Sequence, residues 1–168
     1  FATGVLQPTA RWLWVIAALL ATAVGAAATV LNAASAAFIF LGAFFYGVVY
    51  TVWLKRRSWL NIVIGGLSGS FAVLAGAAAV DPALGAQPLL LALVLFLWTP
   101  PHFWSLAIAN QADYAAANIP MLPVVAGTQR AARVVYGNTV LLAAVSLLPV
   151  FFGAGWVYLL GAAAGGLH

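Results

Sequence analysis

Residues 97–127, LWTPPHFWSLAIANQADYAAANIPMLPVVAG, place ionisable and amide side chains in an otherwise apolar sequence. Asp113 in this stretch is one of two acidic residues in a chain of 168, in which charged residues make up 5%. A charged side chain inside or beside hydrocarbon is costly, so one that is kept there usually has a function. The stretch is therefore the first place in the chain to look for chemistry.

Two adjacent prolines predict a break in the helix that runs through this stretch. Pro100 and Pro101 each remove a backbone donor, so we expect the helix to kink or to restart with Thr99 as its N-cap. Irregular backbone at membrane depth is tolerated only where protein or a watery cavity covers it. We therefore expect a cavity beside residues 99–104, open toward the cytoplasm.

The composition is that of an integral membrane protein. Hydrophobic residues make up 66% of the chain and the mean hydropathy is +1.12, whereas soluble domains are roughly 45–50% apolar. The sequence has no Cys, so it holds no disulfide framework, thiolate metal site or cysteine nucleophile. The net charge of +4 could indicate nucleic acid binding. The basic residues instead lie in three small groups beside apolar runs, which favours membrane orientation and no nucleic acid partner.

Five apolar runs are long enough to cross a bilayer, which takes about 20 residues. The runs are continuous, whereas barrel strands would alternate in polarity, so we predict helices. The predicted fold is an all-α, polytopic transmembrane helix bundle. The five complete spans cover approximately 12–31, 36–54, 62–80, 88–109 and 134–152, and a partial sixth begins near Gly155 and is cut off at His168.

The basic residues predict the orientation of the bundle. If every run spans, all six fall on one side, which the positive-inside rule makes cytoplasmic. The same count places the Asp113 loop on that side. The six are Arg11, Lys55, Arg56, Arg57, Arg130 and Arg133.

Small residues mark the third span. Gly65 and Gly69 are four apart, and Gly66 and Gly76 extend the stripe. Small residues let helix backbones approach closely where no hydrophobic effect drives association. Close packing is one interpretation; room for a flat or long apolar ligand is the other.

His102 and Asp113 are eleven residues apart, about three helical turns, and Asn110 falls on the same face. A continuous helix would therefore line a cavity with His, Asn and Asp, whereas a helix that ends near Asn110 would lose the alignment. Asp113 could equally be a solvated turn residue, and His102 a packing residue. Lys55, Arg56 and Arg57 are orientation charges by default, and a phosphate site at the membrane surface is the alternative.

Three segments together resemble the UbiA-type intramembrane prenyltransferases, most closely the branch that farnesylates haem. They are YTVWLKRRSWLNIVIGG (50–66), LWTPPHFWSLAIA (97–109) and DYAAANIPMLPVVAG (113–127). The resemblance covers the chain from about residue 36 to 149. It implies transfer of a farnesyl group from farnesyl diphosphate to a vinyl group of haem B, which gives haem O for terminal oxidase assembly. It also implies Mg²⁺ as cofactor, the bacterial inner membrane as location, and partners for haem transfer or oxidase assembly.

The resemblance also implies roles for individual residues. Asp113 matches the aspartate of the second of two acidic cytoplasmic loops and would hold Mg²⁺ through the diphosphate. Lys55 and Arg57 match the basic loop as catalytic partners of the diphosphate. His102 would lie on the haem side of the pocket. The residues expected to bind substrate are Arg56, Asn61, His102, Asn110 and Tyr114.

The sequence departs from the family pattern in two relevant places. The first acidic loop, Asn-x-x-x-Asp-x-x-x-Asp, would lie before Phe1, and residues 110–112 are neutral where relatives often carry charge. We therefore interpret 1–168 as one prenyltransferase domain, incomplete at both ends, and expect it to be inactive alone. A prenyltransferase for another acceptor, such as a quinone precursor, and a non-enzymatic transporter-like bundle are the alternatives. The upstream sequence and haem binding by the complete protein would distinguish them.

Overall fold

The computed structural model describes residues 10–166, which form helices and connecting turns with no strand in that range. Five helical segments are long and apolar enough to cross a membrane. They are Ala10–Val30, Ala33–Leu54, Asn61–Val80, Ala86–Ala109 and Thr128–Phe152. All five predicted spans are confirmed, although the fifth begins six residues earlier than expected, at Thr128. The predicted sixth span is a shorter apolar helix, and its expected end at His168 lies outside the described residues.

Several spans are composite. The second consists of α2 (Ala33–Phe44) followed by a wider π-helical segment, Phe45–Leu54. The third joins α3 (Asn61–Gly65) to α4 (Leu67–Val80). The remaining helices are α1 (Ala10–Val30), α5 (Ala86–Ala109), α6 (Gln111–Ala116), α7 (Leu122–Ala126), α8 (Thr128–Ser146) with a 3₁₀ extension (Leu148–Phe152), and α9 (Trp156–Gly166).

Hydrogen bonds from small polar side chains hold neighbouring spans together in antiparallel pairs. At the start of α2, Asn32 Nδ2 donates to the carbonyl of Ala78 at 2.6 Å, and Ser35 Oγ donates to Ala75 at 2.9 Å. Ser70 Oγ of α4 donates to the carbonyl of Ala92 on α5 at 2.9 Å. Lipid offers these groups no partners, so such bonds fix helix position where the hydrophobic effect cannot.

The predicted restart of the helix at the two prolines is wrong, because α5 runs through Pro100 and Pro101 without interruption; the alternative, a kink, stays a prediction. Thr99 is not an N-cap; its hydroxyl donates to the carbonyl of Leu95 one turn earlier, at 2.9 Å. Pro101 has no N–H for the carbonyl of Leu97, and Asn138 Nδ2 on α8 donates to that carbonyl instead, at 3.2 Å. A side chain from another span therefore replaces one hydrogen bond that a proline removes.

A hydrophobic cluster at one end of the bundle joins α3, α5, α7 and α8. Its buried members are Ile62, Trp104, Ala107, Met121, Leu122 and Ala131. Because successive spans alternate in direction, this end also carries the turn after the second span, the loop between α5 and α8, and the starts of α1 and α8. All six basic residues therefore lie at this end. The side of the membrane that it faces stays a prediction.

Candidate functional site

The turn after the second span presents three cations. The backbone N–H groups of Arg57 and Ser58 both donate to the carbonyl of Leu54, at 2.9 and 3.1 Å. Arg56 and Arg57 are exposed and Lys55 is half-buried. Asn61, which is only 1% exposed, donates from Nδ2 to the carbonyl of Lys55 at 3.2 Å. Asn61 therefore touches the backbone of this basic turn (residues 55–57) and is enclosed by protein.

Tyr50 links the basic turn to the interior. The Lys55 ammonium nitrogen lies 6.0 Å from the centroid of its ring, within the range of a cation–π interaction. On another side, a Cβ added at Gly65 would lie 2.8 Å from Tyr50 Cδ2. The ring can occupy this position only because residue 65 is a glycine.

Asp113 lies on α6, a helix of six residues that begins immediately after α5 ends. Asn110 separates the two helices; its φ of −115° and ψ of 33° lie outside the helical range. Its side-chain Nδ2 donates to the carbonyl of Leu106, four residues earlier, at 2.8 Å. Of the two alternatives for this stretch, the structure shows the helix that ends near Asn110, so the alignment of His102 with Asp113 on one continuous helix is absent. Asp113 is exposed and lines a cavity of about 290 Å³ with Asn110, Tyr114, Ala117 and Ile119.

The chain returns to the bundle after α6 through a tight turn. Asn118 has φ +53°, a left-handed conformation that Asn adopts more readily than most residues. The N–H of Ile119 donates to the carbonyl of Tyr114 at 3.0 Å. Met121, Leu122 and Pro123 are then buried. This proline-containing segment therefore brings the chain back into the bundle.

The basic turn and the Asp113 loop (residues 110–121) border the same hydrophobic cluster. Tyr50 and Tyr114 both pack against it. Trp59, just after the basic turn, lies with its ring centroid 6.1 Å from that of Trp104 in the cluster. Two buried polar atoms at this end, Asn61 Oδ1 and Trp104 Nε1, have no hydrogen-bond partner among the described residues. The cations and the carboxylate are thus carried by segments that share one support.

An apolar cavity of about 310 Å³ lies beside α5. This agrees with the cavity expected near residues 99–104, whereas its predicted opening toward the cytoplasm stays a prediction. Gly66 and Gly69 allow Thr99 and Leu95 of α5 to approach closely. A Cβ added at Gly66 would lie 3.1 Å from Thr99, and one added at Gly69 would lie 3.4 Å from Leu95. Gly66 and Gly69 therefore serve close packing and also line the cavity, while its use by a ligand stays a prediction. The lining residues are Tyr46, Tyr50, Ile62, Gly65, Gly66, Ser68, Gly69, Leu95, Trp98, Thr99 and Phe103.

His102 lies on a different side of α5 from this apolar cavity. Its ring is exposed and stacks on Trp98, with centroids 4.3 Å apart and planes 16° from parallel. Together with Thr139 and Leu142 of α8 it lines a second cavity of about 490 Å³. Trp98 borders both cavities and forms part of the wall between them.

The side chains that the structure describes could help a bound phosphate to hold a metal ion, but they could not hold one by themselves. Among residues 10–166 no three His, Cys, Asp or Glu side chains lie close enough together to hold a metal. Asp81 is in the turn between α4 and α5 at the opposite end of the bundle, which leaves Asp113 as the carboxylate here. Mg²⁺ commonly binds through one or two carboxylates together with substrate phosphates. Asp113 fits that mode.

Three side chains that connect helices were not identified from the sequence: Gln111 and Thr128 at this end, and Asn138 in the middle of α8. Each hydrogen-bonds to a partner at least 12 residues away. Polar side chains at the edges of apolar runs are the only sequence signal for them, and that signal does not specify a partner.

Comparison with known proteins agrees with this architecture. The model of the UbiA prenyltransferase family matches residues 1–168. The chain is 60% identical over 166 residues to protoheme IX farnesyltransferase 2 of Paramagnetospirillum magneticum, a match that covers 99% of this chain and 58% of that protein. It is 50% identical over 136 residues to protoheme IX farnesyltransferase 1 of Cenarchaeum symbiosum, which covers 81% of this chain and 46% of that protein.

The chain thus spans about half the length of the curated relatives it matches. No solved structure shows significant similarity to it. The five apolar spans and the family match over the whole sequence lead to one conclusion: this chain is an integral membrane protein that belongs to the UbiA prenyltransferase family.

Proposed function

We propose that the protein containing this chain transfers a farnesyl group from farnesyl diphosphate to a vinyl group of haem B, which gives haem O. The observation that carries the proposal is the meeting of the basic turn and the Asp113 loop on one hydrophobic cluster, next to an apolar cavity. A diphosphate with an isoprenoid tail needs this pairing of charge and hydrocarbon. The names of the relatives support haem as the acceptor.

The cations and the carboxylate act on the diphosphate end. Lys55 and Arg57 stabilise the negative charge that develops as the allylic C–O bond breaks, and Arg56 contributes to binding. Asp113 would hold Mg²⁺ together with the diphosphate, and a bound ion would supply charge neutralisation of the leaving group. Asn61 holds the backbone of Lys55, and Asn110 and Tyr114 border the same cavity as Asp113.

The isoprenoid lies in the apolar cavity next to Tyr50, where the aromatic and aliphatic walls exclude water from the reacting carbon. Haem B lies on the other side of Trp98, in the cavity that His102 lines. The stacked Trp98–His102 pair on α5 and residues of α8 line this cavity, which supports a flat apolar acceptor as its occupant.

The location follows from the charge distribution. All six basic residues lie at the end that carries the site, so we propose that this end faces the cytoplasm of a bacterial inner membrane. Both substrates are apolar with polar ends, so each reaches the site from the bilayer. The partners proposed for the protein are haem-transfer or oxidase-assembly proteins, which would deliver haem B or receive haem O.

The Asp113→Asn substitution in the complete protein tests the proposal. It removes the charge that holds Mg²⁺ while it keeps the size of the side chain, so haem O formation should fall by two or more orders of magnitude. Haem binding, followed by absorption spectroscopy, should be unchanged. Turnover is measured with purified protein, farnesyl diphosphate, haem B and Mg²⁺.

Asp81→Asn is the matched control. Asp81 is exposed in the turn at the opposite end, where its Oδ1 accepts a hydrogen bond from the N–H of Ala83 at 2.9 Å. Asparagine keeps that acceptor, so turnover should equal that of the unsubstituted protein. Normal turnover by the Asp113→Asn protein would remove this loop from the mechanism.

A further inference from the structure

We infer that Gln111 is a positioning residue, which fixes the direction in which Asp113 faces the diphosphate. The inference rests on the proposed function and adds to it a residue that touches neither substrate. It follows from two hydrogen bonds that connect α6 to α7 and α8.

The segment that carries Asp113 needs an external support. Helix α6 has six residues, and a helix this short is marginal by itself because nucleation costs more than so few hydrogen bonds return. Non-helical Asn110 precedes it and Asn118, with positive φ, follows it. Ala112, Asp113 and residues 115–118 are exposed. Little of this segment is held by burial.

Gln111 supplies that support through both ends of its side-chain amide. Its Nε2 donates to the carbonyl of Pro123 at 2.7 Å, and its Oε1 accepts from the Thr128 hydroxyl at 2.8 Å. A carbonyl can only accept, so the Pro123 contact determines which end of the amide is the NH₂ group. The two bonds join three consecutive helices at one side chain.

The partners of Gln111 are themselves rigid. Pro123 is buried, and its carbonyl also accepts the N–H of Gly127 at 3.1 Å. Gly127 has φ +81° and ψ 153°, a conformation that is essentially restricted to glycine. This residue turns the chain so that Thr128, which follows it, reaches Gln111.

Because Gln111 and Asp113 are on the same short helix, the bonds of Gln111 also set the direction of the Asp113 side chain. Asp113 is two residues after Gln111, about 200° around the helix, so the two side chains project from opposite faces. Tyr114, about 60° from Gln111 in the other direction, packs on the hydrophobic cluster. Gln111 and Tyr114 hold the inner face of α6. Without the Gln111 bonds α6 could rotate, and the direction of the Asp113 carboxylate would change.

The kinetic test uses the complete protein. Gln111→Ala removes two hydrogen bonds, so the KM for farnesyl diphosphate should rise about tenfold, while the KM for haem B changes less than twofold. Gln111→Glu should behave similarly, because it keeps an acceptor for Thr128 but offers the Pro123 carbonyl no donor. Thr128→Val should have a smaller effect and add little to Gln111→Ala. Gln129→Ala, at an exposed glutamine one residue further along α8, is the matched control and should leave both KM values unchanged.

A distance measurement tests the positioning without reference to catalysis. These 168 residues contain no Cys, so spin labels at Ala115→Cys and Ala132→Cys, both exposed, report the position of α6 relative to α8. Any Cys elsewhere in the complete protein is first replaced by Ser. The distance distribution should broaden in the Gln111→Ala protein and keep its width in the Gln129→Ala protein.

The outcomes separate this inference from the proposed function. An unchanged distribution, or a broadened distribution with unchanged KM for farnesyl diphosphate, would overturn the role of Gln111. Absence of farnesyl transfer by the unsubstituted protein would overturn the proposed function instead, and the distance distribution would then decide whether Gln111 holds the loop.

Discussion

At the scale of single residues, glycines decide where the aromatic side chains of the site can lie. Gly65 faces the ring of Tyr50, and the nearest atoms to an added Cβ are Cδ2, Cγ and Cβ of that tyrosine, at 2.8, 3.1 and 3.4 Å. These atoms are close to the tyrosine backbone and cannot move away by rotation of a distant group. Gly76, further along the same span, has nothing within 4 Å of an added Cβ.

The contrast between these glycines gives a prediction about stability. Gly65→Ala should lower the free energy of unfolding by about 1–3 kcal/mol, because the methyl group overpacks the contact with Tyr50. Gly76→Ala should be neutral or stabilising by up to about 1 kcal/mol, because alanine favours the helix and meets no neighbour. Denaturant unfolding of both proteins in detergent measures the difference. Equal stability of the two variants would show that Tyr50 is not held against Gly65.

At the scale of elements, the course of α5 shows what local sequence can and cannot predict. Two prolines predicted a break on local grounds, yet the helix continues. The side chain of Asn138, 41 positions away from Leu97 in the sequence, serves the carbonyl that Pro101 leaves without a donor. Conversely, no proline or glycine marks the end of α5 at Asn110, where the helix does stop. A partner that is distant in sequence compensates for the proline, whereas at the end of α5 Asn110 donates to the carbonyl of Leu106, four residues earlier.

A double-mutant cycle tests this account of α5. Asn138→Leu should lower the free energy of unfolding by about 1 kcal/mol, since the Leu97 carbonyl loses its donor in an apolar environment. With Pro101→Ala, the new backbone N–H can serve that carbonyl, so Asn138→Leu should then cost close to nothing.

Thr139→Val is the control in the same helix. The Thr139 hydroxyl donates to the carbonyl of Val135 within α8, at 2.9 Å, so its loss should not depend on residue 101. The same cost for Asn138→Leu in both backgrounds would mean that the amide does not compensate for the proline.

At the scale of the whole molecule, the number and order of the spans could be read from hydropathy alone. An apolar run of bilayer length has few alternatives to a helix, so the five predicted segments agree with the structure to within a few residues. The exception is the start of α8, where the polar residues Thr128, Gln129 and Arg130 extend the helix beyond the apolar run. Hydropathy detects the part of a helix that crosses hydrocarbon, and hydrogen bonds such as Thr128 to Gln111 determine where it begins.

The candidate site was predictable only in its charges. Lys55, Arg57 and Asp113 stand out because charge is rare in this composition. Their common support was not evident, because it depends on the packing of Tyr50, Tyr114 and the cluster between them. The six basic residues all lie at one end of the bundle. This charge asymmetry predicts the orientation in the membrane and makes it testable.

The orientation prediction uses one introduced Cys at each end of the bundle. Ala83→Cys lies in the exposed turn between α4 and α5, and Ala115→Cys lies on exposed α6, at the same end of the bundle as the basic turn. Because six cations and one carboxylate lie at the α6 end, the positive-inside rule places that end in the cytoplasm. A membrane-impermeant maleimide added to intact spheroplasts should therefore label Ala83→Cys, and should label Ala115→Cys only after the membrane is opened. The reverse pattern would put the diphosphate site on the side where cytoplasmic farnesyl diphosphate cannot reach it, and both the orientation and the proposed function would then be wrong.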